Sequence, residues 1–172
     1  MTRSITEGNL TFTFPDNWRI SKFDDSSFYR NQFQNVCGGA KAVDLLVVNP
    51  CTCLWKIEVK DYRQHRRTKT IALAVEIAEK VRDSLAALVA ARVNANDAAE
   101  KDMAKSTLEC PELRVVLHLE QPAKHSTLFP RAIDPALVKQ ELKRLLKPID
   151  PHPIVTQMGR MQNVVWTVKS NG

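Results

Sequence analysis

A chain of 172 residues, 44% hydrophobic and 26% charged, has ordinary globular composition, which argues against a disordered chain and leaves room for a continuous core without disulfides or a structural metal. Its 25 Lys and Arg against 19 Asp and Glu give a formal charge of +6, which favours a polyanionic partner without requiring one. No apolar run approaches the ~18 residues that span a bilayer, and MTRSITEGNL lacks a signal-peptide core. These features predict a soluble, cytoplasmic chain with no membrane contact, organised as one domain over residues 1–172.

In chain order, the alternation Leu10-Thr-Phe-Thr-Phe14 predicts a strand ended by Pro15-Asp16-Asn17, with Trp18 to Ile20 returning as a second. Asp24-Asp25-Ser26-Ser27 could cap a short helix through Phe28, Tyr29 and Phe33. The aromatic residues here suit core packing better than base stacking, because no RNA-binding signature surrounds them. Gly38-Gly39 lacks a following Gly-Lys-Ser/Thr and predicts a turn rather than a phosphate cradle. Cys37, Cys51, Cys53 and Cys110 are irregularly spaced. Cys51-Thr-Cys53 could join Cys37 on zinc, but the short spacing departs from structural zinc patterns, and free thiols in a reducing compartment are expected.

Val43–Val48 and Leu54–Lys60 are apolar, β-branched runs separated by Asn-Pro and Cys-Thr-Cys, which predicts a hairpin. Strand alternation puts Lys56, Glu58 and Lys60 on one face and Trp55, Ile57 and Val59 on the other, and Asp44 on the partner strand can face Glu58. An acid opposite Glu-x-Lys suits a magnesium and phosphate site, since a hard cation takes carboxylate oxygens and a lysine holds a phosphate or water. The alternative for the same three residues is a cross-strand salt-bridged patch worth only ~0.2–1 kcal/mol per pair.

The basic stretch Arg63, Arg66, Arg67 and Lys69 follows directly. Cations are unfavourable at a helix N-terminus, so contacts with nucleic-acid phosphates would account for them, as would a solvated loop. Apolar residues at Ile71, Ala74, Val75, Ala78, Val81, Leu85, Leu88 and Val89 predict a helix from about Thr68 to Val93 with this stripe facing a sheet. Asn94 to Asp97 bends or ends it, and Ala98 to Lys105 adds a turn or two. Leu113 to Leu119 predicts a strand, parallel to the hairpin because a long helix separates them. Asp134-Pro135 predicts an N-cap and first helical position for a helix with Leu137, Val138, Leu142, Leu145 and Leu146 inward. Pro148, Pro151 and Pro153 form a connector, and Asn163 to Val168 a last strand. His65, His118, His125 and His152 lack a partner at metal-binding spacing, and none is assigned to the site.

Val43-Asp44 and Ile57-Glu58-Val59-Lys60 on a hairpin, followed by a helix and a strand, resemble the PD-(D/E)XK nuclease superfamily, over most of Gly38 to Leu119. The resemblance implies an α/β, restriction-endonuclease-like three-layer fold with a central mixed β-sheet flanked by helices. It implies an Mg²⁺-dependent nuclease, with Mn²⁺ as substitute, acting on DNA as an endonuclease and forming a homodimer if both duplex strands are cut. Asp44 and Glu58 would be the metal ligands and Lys60 would position the attacking water. Arg63, Arg66, Arg67 and Lys69 would contact flanking phosphates. Val43 replaces the usual Pro, and an acid from the first helix is missing; Asp25, or Gln32 as a neutral substitute, could take that place. The alternative is a non-catalytic nucleic-acid-binding or assembly subunit with the same fold.

Overall fold

The computed structural model describes residues 2–50, 52–122 and 133–171, so Cys51 and His125 lie outside the described residues. The elements are β1 (Thr2–Glu7), β2 (Leu10–Pro15), β3 (Arg19–Lys22), a π-helical turn (Tyr29–Phe33), a 3-10 turn (Val36–Gly38), β4 (Leu45–Asn49), β5 (Cys53–Asp61), α1 (Leu73–Asn94), α2 (Ala98–Leu108), β6 (Glu112–Glu120), α3 (Pro135–Leu146), β7 (Ile154–Thr156) and β8 (Thr167–Ser170).

Five strands form a mixed sheet in the order β3-β4-β5-β6-β7. β4 pairs antiparallel with both β3 and β5, while β6 and β7 continue parallel to β5 after the crossovers through α1–α2 and α3. β1, β2 and β8 make a separate antiparallel sheet. Period-two alternation decides what each face of the mixed sheet meets. Leu46, Val48, Leu54, Val115 and Leu117 pack with α1, α2 and α3, whereas Leu45, Val47, Ile57 and Val116 pack with Leu10, Phe12 and Phe14 of β2 and with Trp18 and Trp166.

The architecture is therefore α/β with a mixed sheet and helices. The expectation of helices flanking the sheet is corrected at one face, which the small antiparallel sheet covers. Each aliphatic side chain buried in these cores contributes roughly 1.5–3 kcal/mol relative to exposure. No helix among the described residues is long and apolar enough to cross a membrane.

α1 begins five residues later than its periodicity predicts, and its capping residue Ala72 is extended at φ −59°, ψ 140° with no side-chain cap. The stripe is also rotated: Leu73, Ala74, Ile77, Val81, Ser84, Ala87, Leu88 and Ala91 are buried, and Val89 is exposed. α2 and α3 start where their caps dictate, with Asp97 accepting from Glu100 N at 2.9 Å and Asp134 accepting from Ala136 N at 2.8 Å. The expected last strand starts late, because Asn163 takes the left-handed conformation (φ 61°) and strand pairing begins at Thr167.

Candidate functional site

The site is the face of β5 that meets α1. Leu45 pairs with Ile57, so the residue before β4, Asp44, comes level with Glu58. Val59 N donates to Asp44 Oδ2 at 2.7 Å, fixing that carboxylate with Oδ1 turned toward α1. Two α1 residues four positions apart, Glu76 and Lys80, then enter the site from the same helix face. Lys80 Nζ lies 2.6 Å from Glu58 Oε1 and 3.3 Å from Asp44 Oδ1. Lys60 Nζ lies 2.7 Å from Glu58 Oε1 and 3.4 Å from Glu76 Oε1. Glu76 closes the network through Arg67 at 2.9 Å and Lys69 at 2.6 Å.

Asp44, Glu58 and Lys60 are thus brought together, but within a larger ion-pair network. Glu58 is almost wholly buried, and burial, reinforced by the Asp44 charge, pushes its carboxyl up to about 7. Burial would also raise Glu76, yet its hydrogen bond to Lys69, the Lys60 charge and Arg67 outweigh it and hold that acid at about 2. Burial opposes the charge on Lys80 and Lys60, but the facing carboxylates more than offset this and keep both above the usual lysine range. Two buried atoms of this network, Glu58 Oε2 and Arg67 Nε, have no hydrogen-bond partner. Lys56, on the same strand face, is fully buried with its amine 3.3 Å from Val81 O, and burial depresses its pKa strongly.

Glu76, Lys80 and Asp24 are the site residues that the sequence reading missed. Glu76 and Lys80 sit at helical spacing beside Ile77 and Val81, a polar pair on the buried edge of an apolar stripe. Asp24 comes from the segment where Asp25 or Gln32 was expected to supply a group. Asp25 instead ion-pairs with Arg30, and Gln32 is exposed. Burial and the Asp44 charge raise Asp24 to about 6, and its Oδ1 is buried without a hydrogen-bond partner.

The basic stretch is only partly available to a ligand. Arg67 and Lys69 answer Glu76, and Arg63 is held by Asp61 at 2.6 Å. Glu76, the acid in the first turn of α1, meets Arg67 and Lys69. Of Arg63, Arg67 and Lys69, Lys69 is the most exposed, with 60% of its side chain accessible, and Arg66 is exposed as well. His65 is exposed, while His118 is buried with its ring edge-on to Phe12.

Asp44 and Glu58 present hard oxygen donors suited to Mg²⁺. The Lys80 ammonium stands between them, however, and no group of three or more His, Cys, Asp or Glu among the described residues is arranged to hold a metal. Cys37, Cys53 and Cys110 form no disulfide with one another, and burial pushes the Cys53 thiol up to about 12.

No family model and no solved structure matches the chain. The chain is similar to a cysteine–tRNA ligase from Neisseria meningitidis serogroup A / serotype 4A (strain DSM 15465 / Z2491), with 32% identity over 209 aligned residues. The alignment covers 97% of this chain and 30% of that protein, so the chain spans less than a third of the length of the relative. This similarity overturns the resemblance to the PD-(D/E)XK superfamily and, with it, the expected Mg²⁺-dependent nuclease or DNA endonuclease activity. The physical reason for the error is the shortness of the motif. An acid opposite Glu-x-Lys on a hairpin is also what an ion-paired sheet face requires, and Lys80 completes such a face here.

Proposed function

We propose that this chain is a nucleic-acid-binding module related to a segment of a cysteine–tRNA ligase, with transfer RNA as its partner. The observation that carries this reading is the similarity to that ligase along 97% of the chain. The formal charge of +6 supports it, since phosphate neutralisation dominates affinity for RNA. Within the expected contact set, Arg66 and Lys69 reach the surface, while Arg63 and Arg67 shape the turn that presents them. The Glu58–Lys60–Lys80 network serves as the rigid base of that turn.

In this reading Mg²⁺ is an accessory to RNA binding. Asp44 Oδ1 and Glu58 would hold it only by displacing the Lys80 ammonium that stands between them.

The test is fluorescence anisotropy of labelled tRNA, with duplex DNA of matched length as competitor, over a KCl series. Binding should weaken steeply with salt, DNA should compete poorly, and Arg66→Gln with Lys69→Gln should lower the slope of log Kobs against log[KCl] by about 1 per lost phosphate contact. Absence of salt-sensitive tRNA binding overturns the reading. Stronger competition by DNA moves the partner to DNA. Mg²⁺ should raise the melting temperature of Lys80→Ala more than that of the parent chain; equal responses remove the ion from the site.

A further inference from the structure

The parallel strands β5, β6 and β7 end at one rim of the mixed sheet. In open α/β sheets the carboxyl ends of parallel strands are where ligands collect, because loops and helix starts converge there. At this rim a cleft of about 210 Å³ opens between the ends of β6 and β7 and the start of α3. Leu119 and Thr156 line its base, and Lys139, Arg160, Gln157 and Gln162 stand around it.

The charge balance of the cleft is one-sided. Lys139 and Arg160 are both exposed and form no ion pair among the described residues. Two carboxylates come near, and both are committed elsewhere. Asp134 accepts the Ala136 amide at 2.8 Å as the cap of α3, and Glu120 points to the opposite face of the sheet, where it accepts from Met158 N at 2.7 Å. This contrasts with the turn after β5, where Arg63, Arg67 and Lys69 each have an acid.

The cleft also lies next to the site already described. Leu119 is the register partner of Lys60, so the base of the cleft lies one strand away from the Glu58–Lys60 network and on the same face, about 4.8 Å across the ladder. We propose that this cleft seats a phosphate of the RNA backbone, with Lys139 and Arg160 as its cationic contacts and Gln157 and Gln162 as neutral donors. The proposal rests on the RNA-binding reading above and extends the contact surface from the turn after β5 along the strand-end rim to α3.

The test compares the parent chain with a Lys139→Gln/Arg160→Gln double variant and with an Arg92→Gln/Lys101→Gln control that removes the same charge from exposed positions of α1 and α2. In tRNA anisotropy over a KCl series, the double variant should lose about 2 from the magnitude of the salt slope, at about 1 per contact. The control should keep the parent slope, and all melting temperatures should agree. A second arm measures the melting temperature in inorganic diphosphate, which should protect the parent chain and the control but not the double variant. tRNA binding with equal slopes in parent and double variant overturns the proposal. If the parent chain binds no tRNA, the functional reading fails, and the diphosphate arm decides the cleft alone. Protection lost only in the double variant keeps it as a phosphate site, and no protection, or protection equal in all chains, overturns it.

Discussion

Lys56 occupies a position that the apolar environment of the sheet would fill more cheaply with a hydrocarbon. Its side chain is fully buried, its amine meets only the Val81 carbonyl in the described structure, and burial pulls its pKa well below the usual lysine range. A base with a lowered folded-state pKa makes the unfolded chain bind more protons between the two values, so its ionisation costs stability as pH falls through that window. Lys56→Met keeps the volume and removes the ionisable group. The expected result is unchanged or higher stability at neutral pH, by up to about 2 kcal/mol, with a larger gain at acid pH, read from urea melts at both. A loss greater than about 1 kcal/mol at both pH values would assign the amine a stabilising bond instead. At this scale the sequence was informative about facing and silent about partners. Alternation placed Lys56, Glu58 and Lys60 on one side, but the identity of the groups opposite depended on α1, which the local pattern of β5 does not encode.

That dependence is visible in the helix itself. Counting only apolar residues sets the α1 stripe through Ala74, Val75, Ala78, Val81, Leu85, Leu88 and Val89; Ala74, Val81 and Leu88 are buried as that stripe expects, whereas the helix also turns Ile77 and Ser84 fully inward and leaves Val89 exposed. The rotation follows from polar matching. Ser84 Oγ accepts Val43 N at 3.0 Å, Val81 O accepts from Lys56, and Lys80 meets Glu58, so the face chosen satisfies the hydrogen-bonding groups of β4 and β5 as well as burying carbon. Truncation distinguishes the two phases. Ile77→Ala should cost about 2–5 kcal/mol and Val89→Ala less than about 0.5 kcal/mol in equilibrium unfolding; comparable losses would restore the apolar-only stripe. Strands β4, β5 and β6 and helix α3 were legible because turn residues, alternation and the Asp134-Pro135 start agree there. β1 and β7 were not. β1 is an exposed edge of Thr, Ser and charged residues, and β7 is only three residues long.

For the molecule as a whole, the buried network makes stability depend on pH in two opposite ways. Glu76, held at about 2 against an ordinary 4.5, binds fewer protons folded than unfolded, so its stabilisation is complete above about 4.5 and is lost as pH falls toward 2. Glu58, raised to about 7, binds more protons folded, so its contribution weakens as pH rises from 4.5 through 7; Asp24, raised to about 6, acts in the same sense. Melting temperature should therefore fall on both sides of a mildly acidic optimum. Glu76→Gln should flatten the acid limb and Glu58→Gln the neutral limb, measured by thermal melts from pH 3 to 8; parent-like curves from both variants would place the pH dependence elsewhere.

The pairing of β2 with β8 has a kinetic counterpart. Thr11 bonds Asn171 across 160 positions of sequence, and this small sheet covers the aromatic core of Phe12, Phe14, Trp18 and Trp166. Closing so long a loop has an entropic cost that is met before those contacts can reward it. The helix-covered face can assemble from nearer neighbours, so the second face should be the last to become dry. Refolding followed by tryptophan fluorescence, which reports Trp18, Trp55 and Trp166 in that core, should lag behind helix formation followed by far-UV circular dichroism. Until that late step, a chain with its helices already formed carries a bare apolar sheet face of Leu45, Val47, Ile57 and Val116, the state most prone to sticking to another copy.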